Sequence, residues 1–143
     1  MNTSELPTLA ELSAEIEPVE QPRHKFTRTG RLYISAKHPV HAYKRRLRSQ
    51  AELAYWKRRP TTVPLGLYAV FGMPLPARLK GRSLPADKPH VDVPDLDNLL
   101  KSTIDALTGV WWRDDRQIAM TVARKVYAAS GRPYVRLRAF VLR

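Results

Sequence analysis

The sequence contains no cysteine. The chain therefore cannot form a disulfide, a thiolate metal site or a cysteine nucleophile, which is typical of proteins kept in a reducing compartment. It also lacks an apolar run near the ~20 residues that a membrane-spanning helix needs. Its start does not show the cationic and then apolar segments of a signal peptide. We therefore expect a cytoplasmic protein that does not act at a membrane.

Several patterns that would indicate other kinds of catalysis are missing as well. The sequence has no Walker loop and no dinucleotide-binding glycine pattern, so we expect no nucleotide cofactor. Its histidines are scattered, and no Ser-His-Asp arrangement is recognisable; they are His24, His38, His41 and His90.

Negative charge is scarce and unevenly distributed. The 143 residues include 25 Lys and Arg but only 13 Asp and Glu, which gives a net charge of +12. Five glutamates lie within residues 1–20, where there is no Lys or Arg, so residues 21–143 contain eight acidic and 25 basic residues. This excess predicts a polyanionic partner, most simply a nucleic acid. We interpret residues 1–20 as an acidic, partly disordered segment that precedes a single domain of residues 21–143. Within this segment, the spacing of the apolar residues over 9–16 fits a helix and a strand equally.

The hydrophobic periodicity predicts an α+β fold. Apolar residues recur at helical spacing over residues 41–56 and 96–108, and they alternate, as in a strand, over residues 65–71. Two more alternating segments, 118–122 and 135–141, are separated by a turn that contains Gly and Pro, which favours a β-hairpin. The expected structure is a small mixed β-sheet with two main helices and a C-terminal β-hairpin.

Basic residues are concentrated near the start of the domain, on the first helix and in a loop over residues 77–90. The cluster on the helix also fits an ordinary solvated face, whereas a long basic loop is often functional. We expect the following side chains from these regions to contact phosphates: Arg23, Lys25, Arg28, Arg31, Lys44, Arg45, Arg48, Arg78, Lys80, Arg82 and Lys88.

Six of the eight remaining acidic residues are aspartates within residues 92–115. A group of carboxylates in a basic chain repels the polyanion that the rest attracts, unless a cation lies between them. In extended backbone, residues i and i+2 point the same way, so Asp95 and Asp97 can converge on one ion. The alternative is that one of them only caps the helix that follows.

The rest of this window adds to the metal-site interpretation. Asp97, Lys101 and Asp105 are spaced by four residues and share one helix face. A turn with Gly then brings Asp114 and Asp115 back towards the helix. Oxygen ligands without cysteine favour Mg²⁺ or Mn²⁺ over zinc.

Residues 94–101, 105–107 and 109–118 resemble the signature of the RusA family, which are phage and prophage Holliday-junction resolvases. The resemblance implies a small α/β homodimer, acting in the cytoplasm of a bacterial host, with one metal site per subunit. It implies that Asp95, Asp97 and Asp115 bind the metal, that Lys101 is an essential lysine and that Asn98 supports the site or caps the helix. Asp114 is the weaker match of the adjacent pair, because the second aspartate is the usual ligand.

The expected activity is Mg²⁺-dependent endonucleolytic cleavage of branched DNA, with paired symmetric nicks that resolve four-way junctions in recombination and repair. Two alternatives stay open. The first is a non-catalytic basic module that binds nucleic acid, which would leave the crowding of aspartates unexplained. The second is a metal nuclease that acts on flaps or replication forks.

Overall fold

The fold combines two helices with a four-stranded mixed sheet and a two-stranded ribbon, as seen in a computed structural model that describes residues 2–143. This confirms the α+β class. No helix among these residues is long and apolar enough to cross a bilayer. In chain order the elements are β1 (Thr8–Ala14), β2 (Lys25–Phe26), β3 (Leu32–Tyr33), α1 (Pro39–Ala54), β4 (Leu65–Met73), α2 (Leu96–Leu107), β5 (Ile118–Tyr127) and β6 (Tyr134–Val141).

The main sheet has the strand order β1-β6-β4-β5. Strand β4 is central and almost wholly buried, which explains its nearly uninterrupted apolar sequence. β5 runs parallel to β4, and α2 lies in the connection between them, as a parallel pair requires. The segment before α2 lies beside Lys125 in the second half of β5, whereas the turn after α2 leads into the start of β5.

The two C-terminal strands are present, but they do not form the predicted hairpin. β5 and β6 lie on opposite sides of β4, and the connection between them crosses the end of β4, where the Ala128 N–H donates to the Met73 carbonyl (2.8 Å). β4 occupies the centre because both of its faces are apolar, and because its glycines admit aromatic rings of β6. Phe140 lies against Gly66 so closely that any Cβ there would clash with its ring. A turn between two alternating segments does not reveal such an intervening strand.

Part of the acidic N-terminal segment belongs to the domain. Residues Thr8–Ala14 form an edge strand that pairs antiparallel with β6, which decides between the two interpretations of residues 9–16 in favour of a strand. Further along, the Ser102 hydroxyl donates to the Val19 carbonyl (2.6 Å). The segment is therefore not separate from the domain over these residues.

Helix α1 packs on α2 through the predicted apolar stripe. Tyr43, Leu47 and Ala51 are buried, and the Tyr43 hydroxyl lies 2.7 Å from the Thr103 hydroxyl of α2. Burial raises the pKa of Tyr43, so this phenol stays neutral at physiological pH. The contact fixes the relative position of the two helices that carry the candidate site.

Candidate active site

One face of α2 carries the predicted series of charged residues. Asp97, Lys101 and Asp105 follow one another by single helical turns and line an open pocket of about 310 Å³. Asp115, from the turn after the helix, lines the same pocket. The predicted return of the chain towards α2 is therefore observed. The complete lining is Asp97, Leu100, Lys101, Ile104, Asp105, Asp115 and Thr121.

Asp95 does not line this pocket. Its expected convergence with Asp97 requires extended backbone at both residues, but α2 begins at Leu96, so only Asp95 is extended. Asp95 stands at the N-cap position without a capping hydrogen bond from its side chain. Among residues 2–143, no group of three or more His, Cys, Asp or Glu side chains is arranged to hold a metal ion.

Salt bridges divide the six aspartates of this region into two sets. Three have basic partners: Asp92 with Arg78 (2.7 Å), Asp105 with Lys44 and Lys101 (3.7 and 3.9 Å), and Asp114 with Arg116 (2.9 Å). Within the described residues, Asp95, Asp97 and Asp115 have no such partner, although the chain carries 25 Lys and Arg. A cation could bind these three carboxylates without displacing a basic side chain, and they are the residues that the sequence resemblance assigns to the metal.

Asp114 has a structural role in the turn. Its carboxylate accepts hydrogen bonds from the Arg116 backbone N–H (2.9 Å) and guanidinium, and these lower the pKa of Asp114 to about 2. Asp114 does not line the pocket, whereas the neighbouring Asp115 does. The two adjacent aspartates thus have different surroundings, with Asp115 the better placed to bind a ligand.

Gln117 holds this turn; it belongs to the family signature over residues 109–118, but no role was predicted for it from the sequence. Its side-chain oxygen accepts from the backbone N–H groups of Arg113 and Asp114 (2.9 and 2.8 Å). Its amide nitrogen donates to the carbonyls of Thr61 and Val63 (2.9 and 3.0 Å). The signal was present, because an aspartate followed three residues later by glutamine is typical of a capping box. Gln117 therefore positions the backbone that carries Asp115.

The segment before α2 is held from β5. The Lys125 ammonium donates to the carbonyls of Asp92 and Pro94, each at 2.6 Å. The Asp92 carboxylate accepts from Arg78 (2.7 Å) and from the Tyr127 hydroxyl (2.8 Å). The hydrogen bond from Arg78 is the main cause that lowers the pKa of Asp92. No sequence pattern predicted these contacts: those from β5 join residues more than thirty positions apart, and that from Arg78 spans 14 positions.

Two lysines meet beside the pocket. Lys44 of α1 and Lys101 of α2 both approach the same oxygen, Oδ2 of Asp105, at 3.7 and 3.9 Å. Lys44 was predicted only as a phosphate contact on a helix face. That prediction stays untested, but the structure also places the Lys44 ammonium beside the same carboxylate as Lys101, the lysine that the resemblance identified.

The predicted phosphate-binding residues fall into two groups. Three already have protein partners: Lys44, Arg78 and Arg48, whose guanidinium donates to the carbonyls of Ala106 and Thr108 at the end of α2. Charge of this sign is favourable at a helix C-terminus. The others have no salt bridge within residues 2–143: Arg23, Lys25, Arg28, Arg31, Arg45, Lys80, Arg82 and Lys88.

Comparison with known families identifies the family to which this chain belongs. The family model described as endodeoxyribonuclease RusA matches residues 15–138, which include both helices, the pocket and the two-stranded ribbon. The search of curated proteins gave no match. The matched range covers most of the 143 residues. The chain therefore belongs to the RusA family of Holliday-junction endodeoxyribonucleases.

Proposed function

We propose that this protein is a Mg²⁺-dependent endonuclease that resolves four-way DNA junctions by paired nicks, acting as a homodimer in the cytoplasm of a bacterial host. One observation carries the proposal. In a strongly basic chain, Asp97 and Asp115 line one pocket without a salt-bridge partner among residues 2–143, beside two lysines.

The residues of the pocket fit a divalent cation of this kind. Mg²⁺ usually binds through one or two carboxylates and completes its shell with water and phosphate oxygens. Asp97 and Asp115 supply two such carboxylates, and Asp95 at the start of α2 would add a third. Mn²⁺ accepts the same oxygen ligands. When bound, the ion would lower the pKa of a water molecule and neutralise charge on the scissile phosphate.

The lysines provide the positive charge that the protein itself contributes. Negative charge develops on phosphate oxygens during cleavage, and a fixed cation nearby stabilises it. Lys101 lines the pocket and can donate to such an oxygen, while Asp105 holds its ammonium group on this side of the helix. Lys44 reaches the same carboxylate from α1, so Asp105 is a positioning residue for both lysines.

A homodimer suits the substrate. Two symmetric sites can nick two opposed strands of a four-way junction before the junction comes apart. The exposed basic side chains would bind the phosphates of its arms and hold the crossover near the two pockets.

Cleavage of a labelled synthetic junction tests the proposal, with linear duplex, flap and fork DNA as comparison substrates. We expect paired nicks near the crossover with Mg²⁺ and none with EDTA. Asp97→Asn should lower the rate at least about a hundredfold, since loss of even an outer-shell partner often costs 10- to 100-fold. Its binding should be unchanged or tighter, because a repulsive charge is removed.

Asp87→Asn is the matched control, because Asp87 is an exposed loop aspartate outside the pocket. It should cleave like the wild type. Cleavage by Asp97→Asn at the wild-type rate would refute the site. Equal cleavage of flaps and junctions would mean that the enzyme does not select four-way junctions. Binding without cleavage in any divalent metal would mean that the protein is only a DNA-binding module.

A further inference from the structure

The ribbon formed by β2 and β3 exposes an apolar pair close to its tip. Phe26 and Leu32 are directly opposed across the two strands, so they share one face of the ribbon. Their exposed fractions are 73% and 59%, which makes Phe26 the most exposed aromatic residue among the large hydrophobic side chains of residues 2–143. The turn that follows is closed by Gly30 at φ 81°.

This exposure is unfavourable for the isolated chain. A two-stranded ribbon is marginally stable in water by itself, and each strand here has only two residues. Packing of Phe26 on Leu32 does not remove either side chain from water. An exposed apolar group of this kind indicates a contact with another molecule.

The charge of the surrounding chain identifies the partner. Residues 21–51 contain nine Lys and Arg and no Asp or Glu. Four of them, Arg23, Lys25, Arg28 and Arg31, lie in the ribbon or next to it, and none forms a salt bridge within residues 2–143. Arg28 and Arg31 belong to the turn directly beyond the apolar pair. A polyanion has the charge that complements this surface, whereas a second copy of a chain with net charge +12 would bring mainly like charge.

An apolar pair flanked by arginines has a known use on DNA. Phe and Leu side chains insert between base pairs where stacking is weak, and neighbouring basic groups bind the adjacent phosphates. At the crossover of branched DNA, the terminal base pairs of each arm are the easiest to unstack. The interior base pairs of a linear duplex are stacked on both sides, so insertion there costs more free energy.

We propose that the β2–β3 ribbon inserts Phe26 and Leu32 at the branch point, and that this contact makes the enzyme select branched over linear DNA. The inference rests on the proposed function, because it takes branched DNA as the substrate. It assigns substrate choice to the ribbon and cleavage to the pocket.

The test uses junctions with 2-aminopurine beside the crossover, whose fluorescence rises when the base is unstacked. Full-length wild type, the double variant Phe26→Ala/Leu32→Ala, and Phe26→Trp are compared in EDTA, together with their affinities for junction and for linear duplex. Leu53→Ala is the matched control, since Leu53 is equally exposed on α1, at 65%.

We expect the wild type, Phe26→Trp and Leu53→Ala to raise the fluorescence. The double variant should lose most of this rise. Its ratio of junction affinity to duplex affinity should fall about tenfold, as expected when a stacking aromatic is removed. Its affinity for duplex should be unchanged, because the basic residues remain.

Three results would overturn the inference: an unchanged fluorescence rise in the double variant, an equal loss of junction and duplex affinity, or a changed oligomeric mass that makes the ribbon a contact between copies. Failure of the proposed function appears separately, as a wild type that does not cut junctions with Mg²⁺.

Discussion

The two segments that flank α2 each carry an aspartate that the family resemblance assigns to the metal, but they are held in different ways. The turn after the helix rests on the core: Trp111 and Trp112 are fully buried, and Gln117 makes four hydrogen bonds within the turn and to the strand region before β4. The segment before the helix is exposed, with Val91 and Val93 at 80% and 83%. It depends on a few polar contacts with β5 and with Arg78.

This difference suggests a division of tasks. Asp115 follows a turn that is packed on the core without DNA, whereas Asp95 belongs to an exposed segment that polar contacts hold. Asp95 is also the predicted metal residue that lies outside the pocket. We expect the turn to determine where a metal binds, and the preceding segment to determine how tightly it is held.

The largest effect should follow from Gln117→Ala. The substitution removes four hydrogen bonds, two of them part-buried, so we expect the free energy of unfolding to fall by about 2 kcal/mol. Cleavage should fall at least about a hundredfold even where the variant is fully folded, because Asp115 loses its support. Urea denaturation and junction cleavage measure the two effects.

Gln50→Ala is the control, since Gln50 is exposed on α1. If Gln117→Ala cleaved like the wild type while being less stable, the turn would support only the fold, and the proposed difference between the two segments would be wrong.

Whether the sequence predicts a feature of this site depends on how far apart in the chain the interacting residues lie. The face of α2 was predictable, because the spacing of Asp97, Lys101 and Asp105 depends only on helical geometry. The pairing of β5 with β4 and the contacts of Lys125 were not, because they join distant parts of the chain. The position of Asp95 was misjudged for a local reason: the expectation assumed extended backbone where the helix already begins.

A smaller effect should follow from Lys125→Met, which keeps the length of the side chain but removes its two hydrogen bonds to the Asp92 and Pro94 carbonyls. We expect a loss of about 1–2 kcal/mol in the free energy of unfolding. The Mg²⁺ concentration needed for half-maximal cleavage should rise about tenfold, because Asp95 is held less firmly. A metal titration of the cleavage rate measures this change.

Lys125→Arg should restore much of the metal response, since a guanidinium can also donate to two carbonyls. Arg124→Met is the control, because Arg124 is the exposed neighbour on β5. An unchanged metal titration for Lys125→Met would show that the segment needs no support from β5.

The smallest effect should be a loosening of the preceding segment in mild acid. Burial and the nearby Lys125 lower the pKa of His90 from its ordinary value of 6.5, and the ring packs against Tyr127 (4.8 Å between centroids). A lowered pKa means that the unfolded chain binds the proton more readily. The stability contributed by neutral His90 is therefore present above pH 6.5 and is lost as the pH falls through the lowered value.

The turn should not respond in this window, because Asp114 titrates only near pH 2. Because amide exchange is intrinsically slower in acid, the measurement is the protection of each segment relative to the unfolded chain. Between pH 7 and pH 5 this protection should fall over residues 88–95 but not over residues 110–117, and His90→Phe should abolish the difference. An equal loss of protection in both segments, or an unchanged response in His90→Phe, would mean that the two sides of α2 are not held independently.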